Sequence, residues 1–350
     1  MRNVKAIFGM AVALGALGFG ARAVQAQDKA APSSVQVHMV ITDEGIRDSA
    51  EVAILRAENL QVKQGKTALK IDALIPARGD SAALQLFILI DDTSDITSIG
   101  NNLNDVRDFI NAQAPTTVVG IGYMSNAAVQ IVQNFTPDHA AAAKAVRLPL
   151  GTTSTMDSPY LSLISLIKGW PEQKVRREVL MISDGIDRLR GQRESDIRSP
   201  RSAYPGPSRG LSNNMSVSMT TISPDVDTAS TASQRYGVIV HGIYTPGVGR
   251  VGRNAWEAQV GQAGVAQIAE QSGGEYFSLG TQNLISFKPY LDRLQKVFEN
   301  QYFLVFRAVP KNKPALQRVN ISTEVKDFEI AAADNVWVPT TGARDGAAKK

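Results

Sequence analysis

The sequence predicts an α/β fold: a doubly wound, mostly parallel sheet flanked by a small β module built from the N- and C-terminal segments. Three observations predict it. Short continuous runs such as Leu84 to Ile90 (LQLFILI) and Val179 to Ser183 (VLMIS) are apolar on both faces, the mark of strands covered on both sides. Such runs alternate with helical periodicity from 84 to 300. Outside that span, β patterning occurs toward both ends of the chain.

The chain opens with an export signal. Arg2 and Lys5 precede an uninterrupted small and apolar run from Ala6 to Ala21, and Val24-Gln25-Ala26 supplies the small residues of a cleavage site. The run holds about 16 residues, short of the roughly 20 that span a bilayer, so cleavage after 26 is expected instead of a membrane anchor. No later stretch is apolar enough to span. The mature protein is therefore expected to be secreted or periplasmic. Residues 27–34 read as a flexible leader and 35–80 as an N-terminal β segment. Within that segment Val35 to Thr42 is a strand, and Leu60 to Lys63 with Ala68 to Ile75 is a hairpin.

The wound domain is placed at 84–300. After Leu84 to Ile90, Leu103, Val106, Phe109 and Ile110 share one helix face ahead of Pro115. Thr116 to Tyr123 is a second buried strand and Ala127 to Gln133 a third. Thr136-Pro137 opens an alanine-rich helix, with Thr as cap, and Ser158-Pro159 repeats the signal before Tyr160 to Ile167. The strand at Val179 to Ser183 is followed by an arginine-, serine- and proline-containing stretch at 186–223, read as a disordered loop. A helix opens near Ser223-Pro224, a strand covers Gly237 to Tyr244, and a helix over Val265 to Gln271 ends at Gly273-Gly274. Glu275 to Ser278 is a short strand, and Leu291, Leu294, Val297 and Phe298 mark a last helix. The C-terminal β segment, 301–340, holds strands at Tyr302 to Ala308, Gln317 to Thr323 and near Val336 to Val338. Residues 341–350 read as a disordered tail.

Composition excludes several classes of function. The 350 residues are 43% hydrophobic and 20% charged, enough to bury a core. Of the 37 Lys and Arg, three fall in residues 1–26, which leaves 34 against 33 Asp and Glu. A near-neutral mature chain gives no electrostatic case for nucleic acid. The absence of cysteine removes disulfides, thiolate metal sites and a cysteine nucleophile.

In an open parallel sheet, ligands bind beyond the carboxyl ends of the strands, where the strand order reverses. The residues there are Asp91-Asp92-Thr93-Ser94-Asp95 after the first buried strand, and Asp184-Gly185 after Val179 to Ser183. Between them, before a helix, lies Gly151-Thr152-Thr153-Ser154-Thr155-Met156-Asp157. Carboxylates and hydroxyls on neighbouring loop tips suit a hard divalent cation with oxygen ligands. A second reading of the same residues is structural: Asp91 and Thr93 cap the following turn, and Asp184-Gly185 makes a tight turn.

This order of motifs resembles the von Willebrand factor type A (VWA) domain, a Rossmann-like fold whose metal-ion-dependent adhesion site uses D-x-S-x-S, a Thr and a later Asp. The stretch Ile268 to Phe277 is similar to that domain's last helix and strand. The resemblance implies an exported bacterial protein-binding module and a metal site of Asp91, Thr93, Asp95, Thr153 and Asp184, taking Mg²⁺ or another divalent cation. It departs from the pattern at Asp95, where the family has serine, and at Ser94, where it has glycine. A directly ligating Asp95 would neutralise more of the cation and repel an acidic partner.

Rival motifs are incomplete. Gly247 to Gly252 matches G-x-G-x-x-G, but no helix opens at its third glycine and no ribose-binding acid follows at the right place. Ser165 and Lys168 match S-x-x-K without the rest of that set. His38, His139 and His241 are isolated, with His241 in a buried strand and His139 exposed. Trp170, Trp256 and Trp337 are scattered and read as packing residues. The expected function is therefore non-enzymatic: recognition of a protein partner at the C-terminal edge of the sheet, with no organic cofactor, no nucleic acid and no membrane span after cleavage. The alternatives are an extracytoplasmic hydrolase that uses the same oxygen cluster with a metal, and a metal-free scaffold.

Overall fold

The structure is a computed structural model that describes residues 34–45, 55–171, 175–189, 223–247, 255–278, 284–326 and 328–340. The expected signal segment at 1–26, the leader up to 33, residues 190–222 of the long loop and the tail at 341–350 lie outside the described residues.

The order of elements bears out the α/β reading. Among the described residues a six-stranded sheet contains β5 (Leu84–Asp91), β6 (Thr117–Ser125), β7 (Ala128–Thr136), β8 (Arg176–Ser183), β9 (Val238–Tyr244) and β10 (Tyr276–Phe277), in the spatial order β10-β9-β8-β5-β6-β7. All neighbours pair in parallel except β6 with β7. The order reverses between β5 and β8, so the crevice expected of a doubly wound sheet opens beyond Asp91 and Ser183.

Every residue of β5 is buried because helices cover both faces of the sheet. On one face Leu84, Leu86, Ile88 and Ile90 pack with α1 (Ile96–Asn111), α2 (His139–Ala145) and α6 (Lys288–Glu299). On the other, Phe87 and Leu89 pack with α3 (Pro159–Gly169), α4 (Pro224–Tyr236) and α5 (Ala255–Ser272). Each such large apolar side chain contributes about 1.5–3 kcal/mol on burial. Trp170 lies in this second core, donating from its indole to Gln85 at 2.7 Å and packing on Phe87 and Phe135.

The terminal segments form β sheets with each other. β1 (Val35–Asp43) pairs antiparallel with β11 (Gln301–Ala308), which also pairs with β4 (Ile71–Pro76), while β14 (Ile330–Ala332) lies outside β1. β2 (Leu60–Gln64) pairs with β3 (Thr67–Leu69) and β13 (Asn320–Thr323), and β12 (Ala315–Arg318) with β15 (Asn335–Val338). Their core includes Val37, Ile41, Leu60, Val62, Leu304, Phe306 and Val338.

Several local expectations are corrected. The strand at Ala127 to Gln133 is not a buried parallel strand. It is the edge strand β7, largely exposed, which returns on β6 through Asn126 and Ala127. Both of those residues have positive φ (51° and 56°), the conformation of a two-residue hairpin turn whose twist suits the flanking strands. The cap of α2 is Asp138, which accepts from Ala141 N–H at 2.9 Å, and not Thr136. Ser158 and Ser223 cap α3 and α4 as read. His139 is half-buried, with its Nε2 2.8 Å from the Thr117 carbonyl. The stretches Ala68 to Ile75 and Gln317 to Thr323 each divide between two sheets, and the short β14 was not foreseen.

Candidate functional site

The C-terminal rim of the sheet is built from the ends of β5 and β8. Parallel pairing sets Ile90 opposite Ile182, which brings Asp91 beside Ser183 and Asp184. Ser183 Oγ donates to Asp91 Oδ2 at 2.7 Å. Asp91 Oδ1 accepts from the Thr93 amide at 2.9 Å and from the Thr93 hydroxyl at 2.8 Å. Asp91, Thr93 and Asp184 are all buried. Burial, and then the nearby Asp184 charge, push the Asp91 carboxyl up to about 6, although Arg188 opposes the shift.

Asp184 is engaged by its own loop. Its Oδ1 accepts from the Ile186 amide at 2.9 Å, and its Oδ2 takes the Arg188 guanidinium Nη2 at 2.7 Å. The Arg188 side chain is only 8% exposed. Burial alone would lower its pKa, yet Asp184 and Asp91 hold it above the ordinary arginine value. Asp157 positions this arginine. Its carbonyl accepts the Arg188 amide at 2.8 Å, while its carboxylate accepts from Asn126 N–H at 2.8 Å and Ser154 N–H at 2.5 Å. One aspartate thus ties together the β6–β7 turn, the Gly-Thr loop and the chain that carries Arg188.

Glycine is required at two positions here. Gly185 has φ +68°, and a Cβ on it would meet the Gly261 carbonyl oxygen of α5 at 2.2 Å. A Cβ on Gly247 would meet Asp184 Oδ2 at 2.2 Å. Gly247 also pairs with Ser94 across the rim, so its backbone closes over the Asp184–Arg188 pair. Of the G-x-G-x-x-G run only this glycine lies within the described residues.

The five sequence candidates separate. Asp91, Thr93 and Asp184 share the rim. Asp95 instead caps α1, with Oδ1 accepting from the Ser98 amide at 2.9 Å and the Ser98 hydroxyl at 3.0 Å. Thr153 is exposed on the Gly-Thr loop. This donor set does not fit a divalent cation: Asp95 serves the helix, Thr153 is exposed on its loop, and a guanidinium stands on Asp184. Among the described residues no group of three or more His, Cys, Asp or Glu is arranged to hold a metal ion.

Sequence reasoning placed Asp92 and Asp157 on the rim loops without a role, and missed Arg147, Ser183 and Arg188 as members of the site. Asp92 and Arg147 form a two-pronged pair at 2.8 and 3.0 Å, and Asp92 also accepts the Leu150 amide at 2.9 Å. The Arg147 guanidinium lies 3.8 Å over the Tyr123 ring centre. The Asp91-Asp92 doublet and the Asp184/Arg188 spacing of four were the available signals. Around this closed polar rim apolar side chains are exposed: Ile96 at the start of α1 at 43%, and on the loops Leu148 at 44%, Leu150 at 60% and Met156 at 52%.

Three solved structures are similar to parts of this chain. An aerotolerance-related membrane protein from Bacteroides fragilis matches with 11% identity and a TM-score of 0.41, over 62% of this chain and 98% of its own. BatB from Bacteroides thetaiotaomicron matches with 12% identity and a TM-score of 0.40, over 61% and 98%. A von Willebrand factor type A structure from Catenulispora acidiphila matches with 10% identity and a TM-score of 0.38, over 88% and 74%. No family model matches the sequence, and no curated protein matches it.

His241 lies within the sheet. His241 on β9 is fully buried, its Nε2 2.8 Å from Glu178 Oε2 on β8. Its Nδ1 accepts the Glu275 amide at 3.0 Å, which places the ring proton on Nε2, toward Glu178. Among the described residues no helix is long and apolar enough to cross a membrane.

Proposed function

We propose that this chain is an exported, non-enzymatic binding module that recognises a protein partner at the C-terminal rim of its wound sheet. The observation that carries this reading is the exposure of Ile96 at the start of α1 and of Leu148, Leu150 and Met156 on the loops around that rim. Isolated exposed apolar residues are ordinary, but a group rimmed by polar side chains marks an interaction surface. Two of these segments are tied down by carboxylates, the Leu150 amide by Asp92 and the Ser154 amide of the Met156 loop by Asp157. A pre-shaped surface loses little conformational entropy on binding.

The hydrolase alternative finds less support. A general base or nucleophile must be free to reach a substrate. Asp91 accepts three hydrogen bonds and Asp184 is paired with Arg188, so both carboxylates serve the rim. Export rests on the positive, apolar and small-residue order of residues 1–26.

The test is affinity capture from a cell-envelope extract with the tagged chain and with a Leu150→Asp, Met156→Asp variant that melts at the same temperature. A protein retained by the first and lost by the second supports the reading. Equal retention by both would place recognition elsewhere. Mass spectrometry of the protein from its native host tests export: a mature chain starting at Gln27 is expected, and one that retains Met1 or Arg2 contradicts it.

A further inference from the structure

We infer that Arg188 takes the place between the rim carboxylates that the VWA resemblance assigns to a divalent cation, so that the chain carries its own positive charge there and binds without metal. The inference deepens the reading above and rests on it for what is bound.

The argument is one of charge and donors. Asp91 and Asp184 end neighbouring strands and are buried side by side, an arrangement that a cation must offset. The Arg188 guanidinium supplies that cation, with Nη2 at 2.7 Å from Asp184 Oδ2 and Nη1 at 3.3 Å from the Ile186 carbonyl. Among the described residues its Nε is buried without a hydrogen-bond partner, and charge sustains its burial. The segment is held in register by the Asp157 carbonyl, which accepts both the Arg188 and Leu189 amides. Gly247 closes over the pair so tightly that even a methyl group would overlap Asp184 Oδ2.

Two consequences separate this rim from a metal-bridged one. A bound divalent cation keeps open positions that a partner carboxylate can fill, whereas the Arg188 guanidinium, engaged by Asp184 and only 8% exposed, presents little surface to one. The rim also carries Asp91, Asp92, Asp157 and Asp184 against Arg147 and Arg188, which disfavours an acidic partner side chain. The surface therefore fits a partner segment that is apolar with basic flanks.

The experiment is thermal melting of the full chain in chelator, in millimolar Mg²⁺ and in millimolar Mn²⁺. For the unaltered protein the midpoint is expected to be the same in all three. Arg188→Gln leaves the carboxylates uncompensated, so its midpoint should fall, and Mn²⁺ should raise it again by at least about 2 °C. Arg188→Lys keeps a cation and should remain indifferent to metal. A midpoint of the unaltered protein that rises with Mn²⁺, with the rise lost in Asp184→Asn, overturns the inference. So does an Arg188→Gln protein that melts normally and ignores metal. If Arg188→Gln does not fold, the unaltered and Arg188→Lys proteins still decide. Melting needs no partner, so this inference and the binding reading fail separately.

Discussion

Ser183 at the end of β8 donates its hydroxyl to Asp91 at the end of β5 across 2.7 Å, and this bond joins the two strands at the point where the order of the sheet reverses. It leaves Asp91 buried beside Asp184, and that proximity sets the first expectation.

The Asp91 carboxyl is pushed up to about 6, first by burial and then by Asp184. Its unfolded-state value is 3.8, so over the interval between them the folded chain binds more protons than the unfolded chain. Stability must therefore fall as pH rises through that window, and above it the loss is roughly 2–3 kcal/mol. Denaturant midpoints should decline from about pH 4 to about pH 7 in the unaltered protein. In Asp91→Asn that decline should be largely absent, because the amide does not titrate, and Ser183 can turn its hydroxyl to accept from it. Parallel declines in both proteins would rule out Asp91 as the source.

Gly185→Ala should destabilise by about 3 kcal/mol or more, since the new Cβ would stand 2.2 Å from the Gly261 carbonyl at a φ of +68°. Gly169→Ala is the control. Nothing lies within 4 Å of its Cβ position, and it sits at the end of α3, so a change within about 1 kcal/mol is expected. Equilibrium unfolding of both variants measures the difference, and similar losses would mean that the contact between Gly185 and α5 is not tight.

Arg176 ties the wound sheet to the β sheets of the terminal segments. It donates to the Phe298 carbonyl at 2.7 Å, to Gln301 Oε1 at 2.7 Å and to the Ala82 carbonyl at 2.6 Å. Gln301 in turn reaches Thr42 Oγ1 on β1 at 3.4 Å. Arg176→Leu would strand these buried acceptors and should cost about 3 kcal/mol. Hydrogen exchange should accelerate in β11 more than in β6. Uniform acceleration would show that the residue does not couple the two parts.

Leu150→Asp and Met156→Asp should leave the melting temperature within about 2 °C of the unaltered protein, because both side chains face solvent. Each should weaken partner capture by roughly tenfold or more if it sits near the centre of the contact. Loss of capture together with a large fall in melting temperature would instead report damage to the fold.

Patterning made most of the architecture legible in advance. Leu84 to Ile90 is apolar on both faces because helices cover both, and Ser158-Pro159 and Ser223-Pro224 cap helices through local chemistry that needs no tertiary context. β7 was misread because alternation does not reveal whether a strand turns back on its neighbour. That was decided by two consecutive positive-φ residues, Asn126 and Ala127, of which alanine gives no hint. Asp91 and Asp184 were legible because a wound sheet delivers strand ends to one rim whatever the loops do.

By itself the sequence determined the wound sheet and the meeting of Asp91 with Asp184, since both follow from periodicity and chain order, which are local quantities. Only the tertiary structure decided what neutralises them. Arg188 stood in an arginine-bearing stretch that read as solvated, and its pairing depends on the Asp157 carbonyl and the closing Gly247 backbone, contributed by segments far away in the chain. The choice between a bound ion and a side chain is a matter of three-dimensional distance, and spacing along the chain does not encode it.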